Sequence, residues 1–405
     1  MQATLKAAED RKPIVGHPKI VLGITSAQTC LVLAGRPAVL REAGFAVTIV
    51  ASPDARLDDL GSAEGVATIG VPMERRPAPL RDVVSFVRLY RLLRRIQPDV
   101  VEFSTPKAGL LGLVAAWCAR VPRRVYLLRG LKLETAVGFK RFGLLAAEWI
   151  TSACADAVLC TSASLLKNAV RLKIAPAQKL KMLGEGSSIG VDTKHFSPGL
   201  SDVRRSLGIE ATVPVVGFVG RLTRDKGIPE LLAAFEAILA LIPETRLLLV
   251  GWFDEAEDAL DHATRLRILE HRQIVCTGFA SDTAPYYRAM DMMVLPTLRE
   301  GFPNVVLEAS ASGIPVITTL STGSRDAVVP EVTGLLVPAE NKLALIEAIT
   351  RLLRDRELRC RMGQAGRKWV VQHFDRAKVL EQNVKFYKNL LSAAKMPSIR
   401  VTGSV

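Results

Sequence analysis

Two series of short apolar runs, separated by longer amphipathic stretches, constrain this chain more than any other feature. The first series reads KIVLGIT, AVTIVAS, VATIGV, DVVEFS, RVYLLR and AVLCTS; the second reads PVVGFVG, RLLLVG, IVCTGF, MMVLPT and PVITT. Runs this short read as strands, and the stretches between them, such as DVVSFVRLYRLLRRI and GIPELLAAFEAILALI, carry helical apolar spacing. A strand followed each time by a helix pairs in parallel with the next strand. The expected class is therefore α/β, with parallel sheets covered by helices on both faces. Between the two series lies GVDTKHFSPGLSDVRRSLG, polar and carrying Gly, Pro and Asp, which reads as an interdomain linker. The expected domains are residues 1–190 and 191–375; the helical sequence at 376–395 packs back on the first, and the tail 396–405 is expected to be disordered.

A chain of 405 residues, 49% hydrophobic and 23% charged, has ordinary globular composition and room for two cores. The longest apolar run, AGLLGLVAAWCA at 108–119, falls short of the roughly 20 residues a membrane-spanning helix needs and reads as a buried helix. No charged-then-apolar leader pattern opens the chain, so a cytoplasmic location is expected. The cysteines, at 30, 118, 154, 160, 276 and 360, show no CxxC spacing and mostly sit in apolar segments. They are expected to be reduced, buried thiols, not a disulfide framework or a zinc site. The net charge of +14 is unevenly placed: residues 1–200 hold 28 Lys and Arg against 16 Asp and Glu, the remainder 26 against 24. A basic half beside a near-neutral half implies a polyanionic partner on one side: anionic lipid, a phosphate-bearing substrate or nucleic acid.

The second half carries phosphate-binding chemistry. In GRLTRDKGIPELLAAF, Gly220 ends a strand, Arg221 and Lys226 follow on the loop, and Gly227 leads into a helix with Pro229 in its first turn. A helix N-terminus offers unpaired N–H groups and partial positive charge, and an Arg fork with a Lys point charge suits a diphosphate. A solvated basic turn would read the same on this motif alone; the Walker pattern is absent. LREGFPNVVLEASASGIPVIT adds Glu300 and Glu308 around a turn, Gly301-Phe302-Pro303-Asn304, where a strand gives way to a helix. In open α/β sheets ligands sit at the carboxyl ends of strands. There Glu308 can accept two ribose hydroxyls, and Glu300 can accept from sugar hydroxyls nearer the phosphates. Alternatively, Glu300 charges the helix N-terminus and Glu308 is solvated.

Together these stretches, with LLLVG, VCTGFASD and RDAVVPEVTGLLVP, resemble the retaining glycosyltransferases of family 4, which have the GT-B fold. STPKAGLLGLVAA, RVYLLRGLKLET and GEGSSIGVD are similar to the subgroup that builds bacterial capsule, exopolysaccharide or O-antigen units. The resemblance implies two Rossmann-like domains with parallel sheets facing across a deep cleft. It implies that Arg221 and Lys226 bind the donor diphosphate, that Glu308 binds the ribose, and that Glu300, with the N–H groups of Phe302 to Asn304, holds the transferred sugar and distal phosphate, with Gly301, Pro303 and Val305 in the same donor site. It implies that Gly278 and Phe279 lie against the base and that Gly220 and Gly251 bring backbone close to the donor. The sequence departs from the wider family in its first loop, SAQTCLVLAGR, where a glycine pair is common and only Gly35 stands. It departs again in LLRGLKLE, where many members have a histidine and Arg129 occupies the place, with Glu134 close behind.

The resemblance implies a nucleotide-sugar donor, UDP-linked on family grounds, and transfer with retention through front-face attack. No Asp-x-Asp occurs, and two cations with a helix terminus can neutralise a leaving diphosphate, so no metal cofactor is expected. Lys107 and Arg129 are candidates for binding a polyprenyl-diphosphate-linked acceptor, with Glu134 beside them. PLRDVVSFVRLYRLLRRIQPD sets Val84, Val87, Leu92 and Ile96 among arginines, of which Arg88, Arg91 and Arg95 are expected to face an anionic membrane. VGFKRFGLL, with Lys140 and Arg141 beside two phenylalanines, has interfacial composition. The peripheral inner face of the plasma membrane is the expected location. Three other readings are weaker. A nucleotide-sugar epimerase of the related fold needs acids and histidines for proton abstraction that are not found. A nucleic-acid binder would interleave basic and aromatic residues. NAD binding needs a G-x-G-x-x-G after the first strand.

Overall fold

The computed structural model describes residues 16–26, 32–255 and 258–392. Its first domain runs β1 (Lys19–Gly23), α1 (Arg36–Glu42), β2 (Ala46–Ala51), α2 (Ala55–Glu64), β3 (Ala67–Gly70), α3 (Pro79–Ile96), β4 (Val100–Ser104), α4 (Pro106–Cys118), β5 (Arg123–Leu128), α5 (Gly138–Cys154), β6 (Ala157–Cys160), α6 (Ala163–Arg171) and β7 (Leu180–Lys181). The second runs α7 (Val203–Ser206), β8 (Val215–Val219), α8 (Ile228–Leu239), β9 (Arg246–Val250), α9 (His262–Glu270), β10 (Ile274–Cys276), α10 (Ala284–Tyr287), β11 (Met292–Leu295), α11 (Asn304–Ala311), β12 (Val316–Thr319), β13 (Gly334–Val337), α12 (Lys342–Arg354) and α13 (Arg356–His373). Helix α14 (Arg376–Ser392) closes the described chain.

Both sheets are parallel and both reverse their strand order once. The first is ordered β3-β2-β1-β4-β5-β6-β7, the second β10-β9-β8-β11-β12-β13. The reversals fall between β1 and β4 and between β8 and β11, the crevices where open α/β sheets take their ligands. Every residue of β4 and of β8 is buried, as continuous apolar strands are when helices cover both faces. These are the two Rossmann-like domains of the GT-B fold.

Every apolar run read as a strand is one. Strands β7, two residues long, and β13, GLLV, were not among them. The run at 108–119 lies on α4, buried along one side, with Trp117 exposed at its far end. Among the thiols, Cys160 is buried, but Cys118 and Cys360 are exposed, against expectation. Cys118 is the last residue of α4, where the helix emerges from the layer, and Cys360 lies on the outer side of α13. Cys30 and the tail 396–405 lie outside the described residues.

Helix α14 crosses back to the first domain, and a buried charged cluster holds it there. Arg36 at the start of α1 donates to both oxygens of Glu102 on β4, at 2.6 and 2.5 Å, and to the Tyr387 hydroxyl of α14 at 2.7 Å. That hydroxyl also donates to Glu102. All three side chains are almost fully buried. Burial alone would raise the Glu102 carboxyl; the Arg36 fork holds it below its ordinary range.

Candidate active site

The turn after β8 carries the glycines and cations expected to meet a diphosphate. Gly220 lies at φ 145° and Gly251, after β9, at φ 155°. A Cβ on Gly251 would stand 1.8 Å from the Gly220 carbonyl oxygen, so only glycine lets these two strand ends approach. Arg221 leaves the turn and donates to Asp254 at 2.7 Å, with Asp225 at 3.9 Å. Lys226 ends a single 3-10 turn and pairs with Glu300, which arrives from the end of β11. Gly227 then takes a left-handed φ of 75° and caps α8. Two cations and a helix N-terminus converge on the crevice beside the β8–β11 reversal, each cation already facing a carboxylate.

The two glutamates around the Gly301–Asn304 turn have different neighbours. Glu300 faces Lys226, whereas Glu308, on the second turn of α11, accepts from the Tyr287 hydroxyl at 2.9 Å and sits 3.5 Å from the Thr283 hydroxyl. Burial raises the Glu308 carboxyl above its ordinary value, against the lowering effect of Tyr287. Gly251 bridges to Gly278 through the backbone, and Trp252 meets Phe279 edge-on with centroids 5.5 Å apart. The structure thus brings the two loops expected at the base together, with the Phe279 ring 60% exposed beside them. Phe302 turns away to pack on Phe374 at 5.2 Å, while Pro303 precedes α11 and Asn304 and Val305 form its first turn.

The first domain meets this loop directly. A Cβ on Gly301 would stand 2.0 Å from the carbonyl oxygen of Arg129, so the two backbones touch across the cleft. The Arg129 guanidinium donates to Ser188 at 2.6 Å and to the Val32 carbonyl at 3.2 Å, and its Nε has no partner. Burial, with Arg36 nearby, pulls its pKa down to about 10. Glu134 accepts from Asn168 and from Thr322 of the second domain, both at 2.8 Å. Lys107, in the first turn of α4, pairs with Asp82 at 2.7 Å. Arg88, Arg91 and Arg95 are exposed along α3, but the buried stripe of that helix is Ser85, Leu89 and Leu93. Val84 is exposed, and Val87, Leu92 and Ile96 are only partly buried.

A match to the family described as Glycosyl transferases group 1 spans residues 201–369, and one to the Glycosyl transferase 4-like domain spans residues 38–186. A capsular polysaccharide biosynthesis glycosyltransferase of Staphylococcus aureus, CapM, is 33% identical over 94% of this chain and 99% of its own. The chain is a family 4 glycosyltransferase of the GT-B fold. A second relative of this glycosyltransferase, the Escherichia coli UDP-Gal:alpha-D-GlcNAc-diphosphoundecaprenol alpha-1,3-galactosyltransferase, is 26% identical over 77% of the chain and 81% of its own length. The Anabaena protein HepE, solved in complex with UDP-glucose, superposes with a TM-score of 0.75 at 20% identity, over 92% of this chain and all of its own.

Three features of the glycosyltransferase's cleft escape the sequence motifs. Asp254, on the loop after β9, sits between Arg221 and Arg75 of the first domain, 3.6 Å from the latter. Tyr287 supplies the hydroxyl that orients Glu308. Ser164 donates to Asp326 and accepts from the Gly323 N–H at 2.8 Å, joining the domains beside Glu134. An acid inside the run DVVEFS was the one visible sign of the buried cluster at Glu102.

Proposed function

We propose that the enzyme moves a sugar from a UDP-linked donor to a polyprenyl-diphosphate-linked saccharide in bacterial surface-polysaccharide synthesis, retaining anomeric configuration and needing no metal. The observation that carries the donor half is the convergence of Arg221, Lys226 and Glu300 beside the β8–β11 reversal, with Glu308 on the helix that follows. In this reading residues 191–375 are the donor-binding unit, and the diphosphate displaces Asp254 from Arg221 and Glu300 from Lys226. The freed Glu300 then accepts from hydroxyls of the sugar, with the N–H groups of Phe302 and Asn304 behind it. Glu308, its Oε2 held by Tyr287, offers Oε1 to the ribose, and the exposed Phe279 ring lies beside the base. As the anomeric bond breaks, the two cations meet the charge growing on the leaving phosphate, a preorganised electrostatic role. Their presence supports turnover without a divalent ion. The names of the S. aureus and E. coli relatives, and the UDP-glucose held by the Anabaena protein, support the pathway, the lipid-linked acceptor and the donor.

The acceptor half rests on the first domain. Arg129, a half-buried cation in the cleft whose Nε is unpartnered, and Lys107, at the start of α4, are the cations assigned to the acceptor diphosphate, with Glu134 positioned between the domains. The membrane side is assigned to the helix starts around the cleft rim. Helices run antiparallel to their strands, so the first turns of α3 and α5 lie at the carboxyl edge of the sheet. There Leu80, Val83 and Val84, and Val137, Phe139 and Phe142, are exposed, Phe139 at 97%. Lys140 and Arg141, and further along α3 Arg88, Arg91 and Arg95, supply the charge that an anionic leaflet attracts. Among the described residues no helix is long and apolar enough to cross a membrane. The reading places the enzyme on the cytoplasmic leaflet.

Calorimetric binding of UDP, GDP and ADP in EDTA, to wild type and to Glu308→Ala, tests the donor site. UDP is expected to bind without metal and to lose at least about tenfold in affinity in the variant, as when a buried carboxylate's bonds to ribose are lost. Binding of none of the three in EDTA would refute the reading.

A further inference from the structure

The chain returns to the first domain through a tight crossing at residues 374–376. Val191 N–H donates to the Phe374 carbonyl and Arg376 N–H to the Val191 carbonyl, each at 2.9 Å. A Cβ on Gly190 would stand 2.5 Å from the Phe374 carbonyl oxygen, so glycine lets the two segments lie this close. The Thr193 hydroxyl donates to Asp375 at 2.5 Å. Farther along α14, Tyr387 is held by Arg36 and Glu102. Arg376, the first residue of α14, is thereby fixed at the cleft.

Its side chain faces both crevices. On one side it runs over Gly35, which precedes α1 beside the β1–β4 reversal: a Cβ there would stand 3.4 Å from Arg376 Cδ and 4.0 Å from a terminal nitrogen. On the other side its charge reaches Glu308, whose carboxyl is raised by burial and pulled back by Tyr287 and then by Arg376. Arg376 is half-buried, and its Nε is shielded from solvent without a partner. Among the described residues its side chain forms no hydrogen bond and no ion pair. The other cations of the cleft are engaged, Arg221 by Asp254, Lys226 by Glu300 and Arg129 by Ser188.

We propose that Arg376 is a third cation for the donor diphosphate, held unpaired until the donor arrives; this rests on the donor reading above. A half-buried guanidinium without a counter-charge is unfavourable, and a diphosphate brings both charge and acceptor oxygens to its fork. Arg221 and Lys226 must each release a carboxylate to bind phosphate, which offsets part of what they gain. Arg376 exchanges only water. Its place beside Glu308 fits the same ligand, since a carboxylate suited to ribose hydroxyls stands next to a cation suited to the phosphates that ribose carries. An arginine that served only to offset the charges of Glu308 and Asp192 would act on ribose binding and on folding instead. Both carboxylates already have other donors, Glu308 the Tyr287 hydroxyl and Asp192 the N–H groups of Lys194 and His195.

Calorimetry on the full chain in EDTA, with UDP as ligand and uridine as its competitor, tests the assignment in Arg376→Gln and Arg376→Lys. Arg376→Gln is expected to lose at least about tenfold in UDP affinity, as when a charge-assisted bond to phosphate is removed. Arg376→Lys, which keeps the charge without the fork, is expected to recover part of it. Uridine, which lacks the diphosphate, is expected to bind both variants as it binds wild type. Without ligand, Arg376→Gln is expected to melt at or above wild type, because an unpaired charge leaves a half-buried place. Unchanged UDP affinity in Arg376→Gln would overturn the inference; if the KM for the acceptor rose at the same time, the cation would belong to the acceptor's diphosphate. Equal losses for UDP and uridine, or a lower melting temperature, would overturn it in favour of a structural arginine. Failure of wild type to bind UDP would instead overturn the donor reading.

Discussion

Replacing Glu148 by glutamine should stabilise the protein, and do so more at high pH than at low. Glu148 lies on α5, 6% exposed, and its carboxylate accepts from the Tyr126 hydroxyl at 2.9 Å. Burial lifts its pKa from the ordinary 4.5 to about 7, with the Tyr126 bond working weakly against it. The sign follows from where the proton resides. Below about pH 4.5 the group is protonated in both folded and unfolded chains and contributes nothing to the pH dependence. As pH rises from there through about 7, the unfolded chain releases its proton while the folded chain keeps it, so stability falls; above about 7 the folded chain holds a buried charge. At about 1.4 kcal/mol per pH unit, the full cost is about 3 kcal/mol, nearly all of it present at pH 8 and about half at pH 5.5. Glutamine keeps an oxygen for Tyr126 and removes the charge. The variant's melting temperature should then exceed wild type by roughly 6 to 12 °C at pH 8, for a domain of this size, and by about half that at pH 5.5. Thermal melts by circular dichroism at both values measure it. A gap that is the same at both pH values, or that reverses at pH 8, would refute the argument, because Glu148 would then already be ionised at the lower pH.

Other consequences are equally direct. Tyr387→Phe removes a hydroxyl bonded to both Arg36 and Glu102, which should cost about 1.5–3 kcal/mol in chemical denaturation and speed proteolysis within α14. Gly301→Ala sets a methyl group against the Arg129 carbonyl, so the cleft cannot close at that point. Transfer should fall by at least about tenfold while UDP binding changes little, since a shift of an ångström at the reacting groups is enough. Replacing Arg88, Arg91 and Arg95 by Gln should weaken pelleting with anionic vesicles, and adding Phe139→Ser and Phe142→Ser should weaken it further, at about 1 kcal/mol per cation lost near the surface. Unchanged pelleting would remove α3 and α5 from the membrane side.

How much could be read beforehand depended on how far apart the cooperating residues lie. Strand and helix periods are local, so RLLLVG or DVVEFS declares itself, whereas β7, at two residues, is too short to carry a period. The grouping of Gly220, Arg221, Lys226 and Gly227 was legible for the same reason, since they lie on one short connection between β8 and α8. Arg36, Glu102 and Tyr387 are spread from α1 to α14, and nothing local to any of them names the others. Helix α3 shows a different limit. Its apolar residues outnumber what one face can bury, so composition could not tell Leu89 and Leu93, which pack inward, from Val84, which does not. Asp254 was hidden because Arg221 and Arg75, the guanidinium groups beside it, lie far from it in sequence.

The clamp on α14 also has a consequence for synthesis. Ribosomes deliver chains from the N-terminus, so every strand of the first sheet emerges long before Tyr387. Until it arrives, Arg36 and Glu102 lack the hydroxyl that completes their bonding, and the side of the sheet that α14 covers stays open to solvent. The second domain, whose strands end at Val337, therefore has all its sheet segments before the first domain has its last helix. In this enzyme the domain made first is the one finished last, and a stop codon falling before Tyr387 would disable the half of the protein already translated.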